Sequence, residues 1–265
     1  MFPLLPFPST AEVIVFMLVL SRVAGIFSAL PVFGGRRLPV RIKAVTVLMI
    51  TLVSFPVLKV TVPPQLPTDT FSLGLLALSE VMVGLTLAFV TQIVFAAVEF
   101  CGQILGMQMG FTISSVIDPA FGNQAQVMSV MQTLLATLLF LSLNIHHVFI
   151  STIVDSFRVI PIGGWHLSNE IITFLIGRTA DVFVIGIRLA APVMVALLLT
   201  SVALGVMARA FPQMNVFMVS MPLNIGLGLI MLGSTLMIFF HVLEISFGRL
   251  KGQVDALLRL MAPGG

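Results

Sequence analysis

The sequence predicts an all-α, membrane-associated fold of hydrophobic helical hairpins with broken helices, and three observations carry that prediction. Of the 265 residues, 58% are hydrophobic and 9% charged, whereas a soluble domain carries about 25% charged residues. Such a chain cannot cover itself with solvated surface, so it belongs in lipid, inside a large assembly, or both. The apolar residues gather into six long blocks, several at least as long as the roughly 20 residues that cross a bilayer. Glycines and prolines punctuate the longest of them, which predicts kinks, close helix packing or two shorter helices per block.

The blocks are residues 11–32, 40–58, 71–100, 127–150, 171–208 and 216–247. The second is barely long enough for one crossing. The third, fifth and sixth exceed one crossing and contain Gly74, Gly84, Pro192, Gly205, Pro222, Gly226, Gly228 and Gly233. The opening MFPLLPFPST has no basic n-region and no small-residue cleavage site, so insertion is expected to rely on the first apolar helix. Between the first two blocks lies a basic stretch with Arg36, Arg37, Arg41 and Lys43. Pro63, Pro64 and Pro67 keep the next connection from being helical throughout. The run from Pro161 to His166 reads as a turn, and Ser168 as an N-cap with Ile171 as the first buried position. Residues 209–215, with Pro212, read as the bend of a hairpin joining the last two blocks.

The other elements are organised around residues 106–126, GMQMGFTISSVIDPAFGNQAQ, a run neither continuously apolar nor charged apart from Asp118. Gly102, Gly106, Gly110, Gly122 and Pro119 argue against one uninterrupted helix here. The residue before a proline is pushed towards extended geometry, so Asp118-Pro119 reads as a break. In a chain of this composition, such a break is tolerated only where it is buried in protein or lines an aqueous cavity. Met107 and Met109 flank Gln108 between glycines, and flexible thioethers there suit a deformable seal. Core filling is the plainer role for them.

Six crossings leave Arg36, Arg37, Arg41, Lys43 and Arg209 on one side and Lys59, Arg158, Arg249, Lys251 and Arg259 on the other. That tie defeats the positive-inside rule and points away from a simple bundle lying in the bilayer. Arg22, Glu80, Glu99, Arg178, Asp181, Arg188 and Glu244 fall within or at the ends of blocks, where a charge costs about 2.5–3.5 kcal/mol at the bilayer centre. They are therefore expected to face protein or water. Arg178, Asp181 and Arg188 share one helix face, as an ion relay or as a structural ion pair at a subunit interface. Glu80, one turn before Gly84, is either an interhelical polar contact or a pore-facing group.

Catalytic and cofactor signals are missing. Adjacent His146 and His147 point about 100° apart on a helix and chelate poorly, so an interfacial polar cap is the expectation and no metal is assigned. No nucleophile elbow, Walker loop or dinucleotide fingerprint occurs. The single Cys101 excludes an internal disulfide and, with no base nearby in sequence, reads as a small buried residue. A basic stripe for nucleic acid is also lacking.

The run from Leu204 to Phe217, LGVMARAFPQMNVF, followed by Pro222-Leu223, closely resembles the signature of the FliR family. These are export-gate subunits of the flagellar type III secretion apparatus, related to a subunit of virulence injectisomes. Pro31-Val32-Phe33-Gly34 with Pro39 and Lys43, Glu80 with Gly84, Gly102-Gln103, Gly106-Met107-Gln108-Met109-Gly110, Asp118-Pro119 and Ala191-Pro192-Val193 resemble the family elsewhere. Ile145 departs from the Gly expected after Asn144.

The resemblance implies a chain built to pack in a helical multi-subunit pore in the bacterial inner membrane, at the flagellar basal body. It implies no enzyme activity and no cofactor. One copy would join several copies of two other hydrophobic export-gate subunits, alongside larger export-apparatus membrane proteins. Residues 1–180 would resemble the larger partner subunit and residues 181–265 the hairpin of the smaller. The assembly would be lifted largely out of the bilayer plane, and unfolded flagellar proteins would pass through its centre. The positions matching the plug of the closed pore are Met107, Gln108, Met109, Gly110, Phe111, Thr112, Ile113, Ser114, Ser115, Val116, Ile117, Asp118 and Pro119, with Gly106, Gly110 and Gly122 as hinges. Glu80, Arg178, Asp181 and Arg188 would be polar groups within the membrane or at subunit interfaces. Rival readings are a secondary transporter broken at Pro192 and Pro222, an intramembrane enzyme using Cys101 or His146, and a passive assembly scaffold.

Overall fold

A computed structural model describes residues 10–30, 39–58, 69–111, 126–165, 168–211, 213 and 215–262. Among these no strand occurs. The helices are α1 (Thr10–Ala29), α2 (Val40–Leu58), α3 (Thr70–Gln108), α4 (Gln126–Ser142), α5 (Ile145–Val159), α6 (Asn169–Ala210), α7 (Val216–Ser234), α8 (Leu236–Gly248) and α9 (Leu250–Leu260). Helices α1, α2, α3 and α6 are each long and apolar enough to cross a membrane, and the count rises to as many as six if each broken pair after α3 and α6 is one span.

The long blocks resolve in two ways. Helices α3 and α6 stay unbroken over 39 and 42 residues, with α6 running through Pro192. The last block divides instead at Thr235 into α7 and α8, although Pro222 lies inside α7. The fourth block, read as one from sequence, divides at Asn144, whose φ of 55° is left-handed. Asn is among the few residues with a side chain that enter this region readily.

The punctuation before α6 follows the sequence. Gly163 takes a φ of 73°, a conformation glycine adopts without steric cost. The Gly164 amide donates to the Pro161 carbonyl at 3.0 Å, closing the turn. The Ser168 hydroxyl accepts from the Ile171 amide at 3.3 Å, and Ile171 is buried. At the start of α7, Asn215 caps in the same way by accepting from the Met218 amide.

The chain divides into two compact units. The first takes Met1–Gln92, Asn144–Gly177 and Arg249–Gly265; the second takes Ile93–Leu143 and Arg178–Gly248. In the first unit, α1 packs on α2, and both α2 and α9 pack on α5. Val15, Leu18, Val19, Val23 and Ile26 form the buried stripe of α1 at helical spacing. Where α1 meets α3, a Cβ on Gly25 would lie 2.5 Å from the Val81 carbonyl oxygen, and one on Gly84 would run into the Arg22 carbonyl. The two glycines therefore let the backbones touch, as small residues do in membrane helix pairs. Helix α9 buries Leu250, Val254, Leu257 and Leu258 and leaves Lys251 and Arg259 outside.

In the second unit α8 packs on α4 and α7. Its core holds a triangle of rings, Phe95 of α3, Phe140 of α4 and Phe247 of α8, with centroids 5.6–5.8 Å apart. Edge and tilted contacts at this range add to simple burial. Helix α4 crosses α3 at Gly102, where a Cβ would strike the backbone of Ser129.

Candidate functional site

The central stretch is described as far as Phe111; Thr112, Ile113, Ser114, Ser115, Val116, Ile117, Asp118, Pro119 and Gly122 lie outside the described residues. The break predicted to open at Gly106 comes four residues later. Helix α3 runs through both Gly102 and Gly106. Burial explains this: Gly102 serves close packing on α4, and packing outweighs the intrinsic helix cost of about 1 kcal/mol per glycine. The helix stops at Gly110, whose φ is 88°. The Met109 amide still donates to the Leu105 carbonyl at 2.9 Å, and the Gly110 amide reaches back only to Met107, at 3.1 Å. A left-handed glycine just past the last turn is the usual way to end a helix.

Two residues apart on a helix is about 200° around it, and the two methionines part accordingly. Met107 is 57% exposed and Met109 is 0% exposed. Met109 continues the buried stripe of Cys101 and Leu105, and its Cγ lies 2.8 Å from where a Cβ would stand on Gly228 of α7. Gly106 is buried, Gln108 exposed, and Gly110 and Phe111 half-buried. The structure thus presents one methionine outward at the start of the loop and holds the other inward.

Beside this stretch, Cys101 is fully buried and shares a hydrogen bond with Gln132 of α4. It is enclosed in packing, with no acid or base among its described partners. His146 and His147 stack edge to face with centroids 4.3 Å apart. Among the described residues no three His, Cys, Asp or Glu side chains gather as a metal would need.

Among the described residues, the most heavily buried charges lie in the first unit. Arg22 of α1 and Glu80 of α3 are 0% and 1% exposed, and the Arg22 Nε donates to Glu80 Oε2 at 2.6 Å. Arg22 Nη1 also donates to the carbonyls of Ser156 and Ile160, at 3.1 and 2.9 Å. Its guanidinium sits 4.0 Å over the Phe157 ring. Glu80 Oε1 accepts from the Gly163 amide at 3.0 Å. Of the two sequence readings for Glu80, the geometry is that of an interhelical contact, tying α1, α3, the end of α5 and the following turn. Arg22 was not paired with it from sequence. The signal was available: two charges of opposite sign lie in mid-block in apolar runs, each with a glycine one turn later, at Gly25 and Gly84.

Arg178 and Asp181 form an ion pair at 3.0 Å, with side chains 37% and 34% exposed. Arg188, further along α6, is exposed. Helices α6 and α7 run through Pro192 and Pro222 without unwinding, so neither proline opens the discontinuous helix that a midplane transport site uses.

Comparison with known proteins adds the following. The family described as bacterial export proteins, family 1, matches residues 13–250. The flagellar biosynthetic protein FliR of Bacillus subtilis (strain 168) is 33% identical over 249 residues, 93% of this chain and 95% of that protein. FliR of Escherichia coli (strain K12) is 34% identical over 210 residues, 79% of each chain. FliR of Aquifex aeolicus (strain VF5) is 28% identical over 226 residues, 84% of this chain and 86% of the relative.

Proposed function

The chain belongs to the bacterial export proteins, family 1, as a component of the flagellar type III export apparatus in the inner membrane, and we propose that it is a non-catalytic subunit forming and plugging the export pore. The observation that carries the assembly part of this reading is the exposed apolar surface of α6. It runs from Ile172 to Phe211 through Ile176, Phe183, Ile187, Leu198 and Val206. At 1.5 Å per residue that surface is about 60 Å long, whereas the hydrocarbon core is about 30 Å thick. A tilt of about 40° lengthens the path to only about 40 Å. The remainder needs protein against it, which supports partner subunits: two other hydrophobic export-gate types in several copies, with larger export-apparatus membrane proteins nearby. The same surplus length fits a complex raised partly out of the bilayer, and accounts for the tied loop charges.

Within the pore, the central loop from Met107 to Pro119 is the plug in this reading. A closed pore for polypeptide blocks ions yet admits many sequences. A segment of Met, Phe, Ile, Gly and small polar residues, with Asp118 as its only charge, meets both demands, because a charge at the seal itself would select particular substrates. Met107 is the exposed end of that segment among the described residues, with Gly110 as the adjoining hinge and Gly106 and Gly122 as further hinges. Glu80 is a structural member of the subunit; Arg178, Asp181 and Arg188 are interface polar groups.

The test is membrane conductance in cells producing the chain with its co-encoded partners, with and without deletion of residues 107–117. Ion leakage that appears only with the deletion supports the plug. An assembled complex that stays tight without the segment sinks it and leaves a passive scaffold.

A further inference from the structure

We infer that Gly228 of α7 is a seat for the Met109 side chain, and that this seat holds the start of the central loop in its closed position. The inference rests on the plug reading and specifies how the plug is held. Three observations carry it. Among the described residues of α7, Gly228 alone is buried, while its neighbours Gly226 and Leu229 are exposed. Met109 is 0% exposed although it lies just past the last residue of α3, Gln108, and next to the left-handed Gly110. The space a side chain would take on Gly228 is filled by the Met109 side chain: Cε touches it, Cγ stands at 2.8 Å and Sδ at 3.0 Å.

The chemistry suits a contact that is made and released. A thioether is unbranched and polarizable, so it fills an irregular hollow without a directional bond to break. Glycine provides the hollow and gives the side chain a backbone surface to lie on. Hydrogen bonds or an ion pair at this place would hold more rigidly, and a bulky residue on α7 would deny the seat. Leaving it exposes a single apolar side chain. That is small enough for an arriving polypeptide to offset through its own contacts. Met109 is thus a positioning residue, whereas Met107, facing outward, is left to make the seal.

The test is a reversible cross-link. Met109→Cys and Gly228→Cys are introduced together in a Cys101→Ala background, in cells carrying the whole apparatus. A cysteine sulfur at the Met109 Cγ position would stand 2.8 Å from a Cβ on Gly228, near enough for a sulfur carried on that Cβ to meet it. Cross-link formation is counted by maleimide labelling after denaturation, and flagellar protein released to the medium is measured. The expected result is export lost on mild oxidation and regained on reduction in the double variant, while oxidation changes nothing in either single cysteine variant. A cross-link that forms while export continues overturns the seat, as does a pair of thiols that stay separately modifiable under oxidation. Should the double variant fail to accumulate, Gly228→Ala decides: its Cβ displaces Met109, and ion leakage is expected to rise, while unchanged leakage overturns the inference. Deletion of residues 107–117 separates the two ideas. A leak on deletion with no effect of the cross-link removes the seat and keeps the plug; no leak on deletion removes the plug itself.

Discussion

Neutralising Glu80 puts the buried Arg22–Glu80 pair to a quantitative test. Glu80→Gln retains an acceptor for the Gly163 amide and removes only the charge. Arg22, fully buried, is then left with two carbonyls and the Phe157 face. Leaving one member of a buried pair uncompensated costs about 3–5 kcal/mol. Arg22→Met leaves the carboxylate buried instead, with a cost on the same order of about 3–5 kcal/mol. The double variant buries no charge and fills the space with an apolar chain. Its residual loss is the Ile160 carbonyl, because the Ser156 carbonyl still accepts from the Ile160 amide at 2.8 Å. One such orphaned group costs about 1–3 kcal/mol. The double variant is therefore expected to be at least as stable as either single one, with a coupling of about 3 kcal/mol or more. The assay is unfolding of the purified chain in detergent by titration with SDS, across all four members of the cycle. Additivity within about 0.5 kcal/mol would refute the claim that the two side chains act as one unit.

Gly84→Ala is expected to lower the amount of folded chain, because the new Cβ meets backbone atoms of Arg22, Gly25 and Ile26 that cannot swing aside; overpacking of this kind costs about 1–3 kcal/mol. Gly74→Ala, with open space around it, is the matched control and should leave that amount unchanged or raised. Asp181→Asn should cost about 0–1 kcal/mol, as expected of a pair about one-third exposed, and leave swarming motility intact; a motility defect at normal abundance would favour an ion relay on α6. Cys101→Ala should leave export unchanged, and native Cys101 should resist maleimide until the chain is unfolded, because it is fully buried.

What could be read from the sequence was whatever depends on local chemistry. Ser168 and Ile171 mark the start of α6 because capping and first burial need only four residues. The Pro161–Trp165 turn is legible for the same reason. Composition placed the chain in lipid, inside a large assembly, or both, since 9% charge cannot cover so many apolar residues with solvated surface. The departures arise where partners distant in sequence decide. Gly102 read as a helix breaker, yet it is the point where α4 lies against α3, and packing there overrides propensity. Asn144 sits inside an apolar run, so the break between α4 and α5 has no periodic signal; only the left-handed tolerance of Asn hints at it. Glu80 was singled out, but its partner lies 58 positions away, and opposite charges in two apolar blocks were the clue. Met107 and Met109 carry the same side chain two residues apart, and only the orientation of α3 tells which faces inward.

The most direct test of the central claim, that the loop beginning at Met107 closes the path taken by exported protein, is photocrosslinking during export. A photoreactive amino acid is placed at Met107, and at Leu78, a comparably exposed position earlier in α3. Cells are then illuminated while a flagellar protein is held in transit. The gate account predicts covalent capture of the exported protein from position 107 and none from position 78. Efficient capture of a transiting substrate elsewhere in the assembled complex, with none from 107, would contradict it.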